Sequence, residues 1–160
     1  MSSNLKCAFS SLSLSASVDQ QTGSLSVFDV VDEIRAPQLP IHVQMLVLTL
    51  VWEKPAGNGH FDGRIFIHIL TPDSKQALIG NGELKIPADQ KRVKALFRLG
   101  GFPLMQFGAH RFVVSWVNAA GAKEGENLID FDVVQVAEGP GGPQQSGSGP
   151  APTGKPGVTH

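Results

Sequence analysis

From Leu5 to Ala137 the chain runs in short stretches of alternating apolar and polar side chains, separated by turn residues. Leu5, Cys7 and Phe9 share one parity; Leu12, Leu14, Ala16 and Val18 share the other. The switch near Ser10 and Ser11 predicts a bulge, or two strands in succession. Asp19 to Gly23 reads as a turn and Ser24 to Ile34 as a second strand region, after which Pro37 and Pro40 break the chain. The strongest strand signal runs from Ile41 to Glu53. Its centre, Met45 to Leu48, is apolar on both parities, which predicts a central strand partly covered on both faces.

Further strands are predicted over 61–70, with Ile65, Ile67 and Ile69 on one face, and over 76–86, interrupted at Gly80, Asn81 and Gly82. Lys91–Leu99, Ala109–Asn118 and Leu128–Ala137 follow. Between them lie a Thr71-Pro72-Asp73 turn, a loop over 54–59 and another over Ala119–Glu126. No segment carries a sustained helical period with caps. About eight strands with turn chemistry between them predict an all-β, two-layer antiparallel sandwich. Residues 138–160 are rich in Gly, Pro, Ser and Gln, without a large apolar side chain. Such a segment cannot bury enough surface to offset chain entropy. The expected organisation is a β-sandwich domain over 1–137 and a disordered Gly/Pro-rich tail over 138–160.

A domain over 1–137 is long enough to fold without a metal or disulfide, and the single cysteine, Cys7, excludes an internal bridge. The formal charge of -1 argues against a nucleic-acid partner or an anionic membrane surface. The basic group Lys91, Arg92, Lys94 and Arg98 alternates with Val93, Ala95, Phe97 and Leu99, as on a strand with one wet face. Met45 to Trp52, the longest apolar run, is far short of a bilayer span. Serines interrupt the apolar residues between Ser10 and Ser17, which suits a strand better than a secretion signal. A cytoplasmic location is expected.

Candidate chemistry is sparse. His60 and Asp62 share a strand parity and could supply two metal ligands, but no third is identifiable. His42, His68 and His110 fall on strands among apolar neighbours. Asp29, Asp32 and Glu33, and Asp130 with Asp132, are acidic groups without the spacing of a calcium loop. No Gly-x-Ser-x-Gly elbow occurs. Trp52, Trp116 and Phe112 could form an aromatic platform for a sugar. Trp116, in phase with Phe112 and Val114, reads as core. Phe102, Leu104, Met105 and Phe107 are too apolar for a plain loop; they either plug the end of the sandwich or form a contact patch.

Several turn and core signals resemble an uncharacterised bacterial domain-of-unknown-function family. They are Thr22 to Asp29, the Leu39-Pro40 start of the strong apolar strand, Thr71-Pro72-Asp73, Phe102-Pro103-Leu104 and Gly108 with Phe112. The resemblance implies an immunoglobulin-like β-sandwich and brings no functional residues. The expected function is a non-enzymatic protein–protein interaction or structural accessory module without a cofactor. Its partner would be an unknown protein, or a second copy paired through a sheet edge. The candidate contact surface is Trp52, His60, Phe102, Leu104, Met105 and Phe107. The alternatives are a small-ligand or carbohydrate-binding module, which a buried Trp52 would exclude at that residue, and a metal-dependent enzyme built on His60 and Asp62.

Overall fold

The structure, a computed structural model, describes residues 5–55 and 59–137. The expected tail over 138–160 lies outside them. Eleven strands follow one another: β1 (Lys6–Val18), β2 (Leu25–Val30), β3 (Glu33–Ala36), β4 (Ile41–Val43), β5 (Leu46–Glu53), β6 (Phe61–Leu70), β7 (Gln76–Ile86), β8 (Arg92–Leu99), β9 (Phe102–Leu104), β10 (Gly108–Asn118) and β11 (Lys123–Gln135). They form a two-layer immunoglobulin-like sandwich. One sheet has the order β2-β1-β5-β8, the other β3-β11-β10-β6-β7, and β4 and β9 pair separately.

The strand count exceeds the expected eight because two predicted strands each divide, the one over 24–34 into β2 and β3 and the one over 41–53 into β4 and β5, and because β9 forms where a strand end was expected. Met45, expected at the covered centre, falls between β4 and β5 and is 51% exposed. β3 pairs parallel with β11, the one parallel pair described, and every other pair is antiparallel. Gly80 to Gly82 do not interrupt β7; the irregularity is a register shift in its ladder with β6, between Ile67 and His68. β11 begins at Lys123, so the expected loop over Ala119–Glu126 is shorter than its sequence suggests.

The core is built from one parity of each central strand. Leu48, Leu50 and Trp52 of β5 meet Ile65 and Ile67 of β6, Phe112, Val114 and Trp116 of β10, and Phe131 and Val133 of β11, all buried. Trp52 and Trp116 meet edge to face at 5.9 Å and 80°. Phe112 stacks on Phe131 at 5.0 Å. The Trp52–Trp116 contact joins the two layers, the Phe112–Phe131 stack lies within one sheet, and both bury large apolar area per residue.

The other parity of β5 is buried too: Val47, Thr49 and Val51 are 3%, 0% and 8% exposed. The register explains the cover. Along β1, Phe9 lies opposite Val51 and Ser13 opposite Val47, so a straight continuation would carry Val18 away from Val51. Val18 and Gly23 instead line one groove with Phe9, Val51 and Lys94. The strand therefore doubles back after Ser13, and the β1–β2 hairpin lies over the outer face of its own sheet. The Lys94 ammonium donates to the Gly23 carbonyl and ties down the hairpin tip. That tip is set by Asp19, whose carboxylate accepts the N–H groups of Gln21 and Thr22, and by Gly23 at φ 70°. The two parities read from β1 thus correspond to two structural halves, with a register shift between Cys7 and Phe9.

Candidate functional site

Three surfaces offer themselves, and the residues singled out from sequence are scattered among them. Trp52 is fully buried against Trp116, so no aromatic platform exists there, and the carbohydrate reading that rested on its exposure is withdrawn. Leu104 is also buried, at 2% exposure, because it pairs with Ile41 across β4–β9 and closes the core from the end. Phe102 and Phe107 are half-buried, and Phe102 meets Phe112 edge to face at 6.4 Å. Of this apolar segment, Met105 remains freely exposed, at 63%. His60 is exposed and lies with Asp62, Asn118 and Glu124 in a shallow depression. It stands at the start of β6, whereas Met105 lies near the end of β6, with Ile69 and Thr71. Ten residues of strand span roughly 30 Å, so these residues do not share one surface.

The second surface is the hairpin. Sheet order leaves β2 with one free edge. Phe28 and Val30 are 52% and 66% exposed, and Leu14 on β1 is 54% exposed. Sequence reading passed over these residues because Ser13, Ser15, Ser17 and Ser26 surround them and the strand as a whole reads as polar. The usable signal was Phe28 and Val30 on one parity.

The third surface is a cleft at the Met105 end. Ile69, Ala77, Ile79, Phe102, Leu104 and Met105 form its apolar walls, and His110 lies within it. The Asp73 N–H donates to Gln106 Oε1 at 3.3 Å, joining the β6–β7 turn to the loop after β9. Asp73 also accepts from the Thr71 hydroxyl and pairs with Lys75 at 3.4 Å. The Thr71 hydrogen bond is the chief reason its carboxyl is held down at about 2.

Among the described residues, neither a metal-ligating group nor an activated nucleophile comes together. No group of three His, Cys, Asp or Glu side chains able to hold a metal comes together among the described residues. His42 and His60 are exposed, His68 is half-buried and His110 is buried. The Cys7 Sγ donates to the Phe9 carbonyl at 3.3 Å, and burial pushes its thiol pKa up, the opposite of what a nucleophile needs. The basic group on β8 is a wet face, as expected. Lys91 and Arg92 both pair with Glu53, at 3.2 and 3.0 Å. No helix long and apolar enough to cross a membrane occurs among the described residues.

A family model described as "Family of unknown function (DUF6941)" matches residues 10–121. Among solved structures, the chain is similar to the CARDB domain of the PF1109 protein from Pyrococcus furiosus, solved in complex with di-metal ions. Identity is 10%, the match covers 81% of this chain and 90% of that one, and the TM-score is 0.42. No curated protein matches the chain.

Proposed function

Because the chain belongs to the family of unknown function DUF6941, which brings no activity with it, we propose its role from its surface. It is a non-enzymatic, cytoplasmic protein–protein interaction module whose partner adds an extended segment to the free edge of β2. The observation that carries this reading is the contrast among the four outer strands of the two sheets. Natural sheets guard their edges with short strands, charges and bulges. β3 has four residues, two of them Glu33 and Arg35. β7 carries Glu83 and Lys85 and has the register shift in its ladder with β6. β8 carries Arg92, Lys94 and Arg98. β2 has one charged side chain, Asp29, and exposes Phe28 and Val30 beside its unpaired backbone. Strand addition there would satisfy backbone groups and cover apolar surface together.

The test compares the wild-type chain with Phe28→Lys/Val30→Lys, both changes at exposed positions, and with Met105→Lys at the far end. Proteins bound in stoichiometric amounts after native purification are identified by mass spectrometry, and the purified chains are sedimented. The reading expects a partner held by the wild type and by Met105→Lys and lost from the β2 variant. A partner held equally by all three overturns it. A dimer that the β2 variant dissolves, with no other protein bound, would make the edge a homodimer contact instead.

A further inference from the structure

We propose that the end cleft over His110 binds a small, mostly apolar, neutral molecule carrying one hydroxyl or N–H donor, which the imidazole Nε2 accepts. The cleft has a volume of about 400 Å³, within the range of small-molecule sites of roughly 300–1,000 Å³. Its walls are the side chains of Ile69, Ala77, Ile79, Phe102, Leu104 and Met105. Its polar groups are few. At the turn, Asp73 and Lys75 face each other at 3.4 Å and offset each other's charge, which favours an uncharged guest.

His110 gives the site its chemistry. It is 2% exposed, on the inward parity of β10 with Phe112 and Val114. Its Nδ1 lies 3.0 Å from the Gly108 carbonyl oxygen. A carbonyl only accepts, so Nδ1 carries the hydrogen, and in the neutral ring Nε2 is left as the acceptor. That Nε2 is buried and has no hydrogen-bond partner among the described residues. Folded proteins seldom leave such an atom unpaired, because its lost hydration is not recovered. The ring cannot easily turn to find another partner: it stacks on Phe131 at 5.2 Å and 27°. An unpaired acceptor on a ring that lines an apolar cleft, shut off from solvent until a wall side chain yields, selects for a donor on an otherwise apolar molecule. The inference does not depend on the reading of β2, which lies in the other sheet.

The probes are naphthol, which carries a hydroxyl, and methoxynaphthalene, which has nearly the same shape and no donor. Binding is followed by fluorescence titration, and by long-range proton–nitrogen NMR at the His110 ring of the full chain. Naphthol is expected to bind about tenfold or more tighter than methoxynaphthalene, since the second probe leaves Nε2 unpaired. It is also expected to shift the Nε2 resonance. His110→Phe keeps a ring against Phe131 and should bind both probes equally. Ala77→Phe, at an exposed wall position, should weaken both without touching the core, and it keeps the test decisive if His110→Phe fails to fold. Equal affinity for the two probes in the wild type, an unmoved Nε2 resonance, or binding that survives Ala77→Phe overturns the proposal.

Discussion

Gly125 lies opposite Trp116 in the β10–β11 ladder, just before the register shifts at Val117. A methyl group built on Gly125 would fall 2.4 Å from Trp116 Cζ2 and 2.7 Å from Cε2. Relieving that overlap requires the indole to move by about 1 Å, to reach ordinary contact. The indole is 2% exposed and has Trp52 against it at 5.9 Å, so it has little room to yield. Overpacking of this kind costs about 1–3 kcal/mol. Alanine recovers about 0.5–1 kcal/mol of the backbone entropy that glycine loses in a strand. The net expectation for Gly125→Ala is a loss of about 1–2 kcal/mol, or roughly 3–8 °C in Tm for a domain of this size. Gly82→Ala is the control. Its added methyl would meet Phe97 Cε1 at 3.7 Å, an ordinary contact, so only the backbone term remains and the variant should match wild type or gain up to about 1 kcal/mol. Urea titration followed by tryptophan fluorescence measures both, and near-ultraviolet circular dichroism reports the Trp52–Trp116 geometry. Equal midpoints for the two variants, with an unchanged aromatic spectrum, would refute the claim that Trp116 is seated tightly on Gly125.

Lys54 is 4% exposed, and its ammonium donates to the Gly59 and Pro87 carbonyls at 3.0 and 2.6 Å. Lys54→Met leaves both acceptors without this partner and should lower stability by about 1–3 kcal/mol in urea unfolding. Asp73 has its folded pKa lowered to about 2, so its contribution is present above the unfolded value and is lost as pH falls towards 2. A plot of Tm against pH should therefore fall less steeply between pH 4 and 2 in Asp73→Asn than in wild type. Cys7, half-buried and with its thiol pKa raised by burial, should react with a disulfide reagent at neutral pH more slowly than free cysteine, and at the free rate once urea unfolds the chain.

The fold class was legible in the sequence because two-residue periodicity is a local property. Ile65, Ile67 and Ile69, and Phe112, Val114 and Trp116, must share a face in any extended chain, and a shared apolar face needs a partner layer. The apolar run on both parities of β5 announced cover on both sides for the same reason. What covers the second side was not legible. The fold-back after Ser13 depends on where β1 stops pairing with β5 and starts pairing with β2, which is a matter of register between distant segments. The parallel pairing of β3 with β11 is hidden for the same reason: it joins residues about a hundred positions apart.

The surfaces divide along the same line. Sequence identified Met105 and the half-buried Phe102 as an unusual apolar segment and left open whether it plugged the core or faced solvent. The structure divides it: Leu104 is buried while Met105 is exposed. It could not rank Phe28 above Trp52 as a contact residue, because exposure belongs to the assembled sheets and not to a residue's hydrophobicity. Nor could it distinguish His110 from His42, since both are strand histidines. The hydrogen bond to Gly108 is local to β10, but the stack on Phe131 and the apolar cleft exist only once β6, β7, β10, β11 and the segment after β8 are packed together. Local periodicity was enough to make the chain a sheet-built sandwich. Packing between distant segments settled which edge stays open and that an unpaired histidine comes to line a cleft, because both follow from contacts between residues that local pattern cannot bring together.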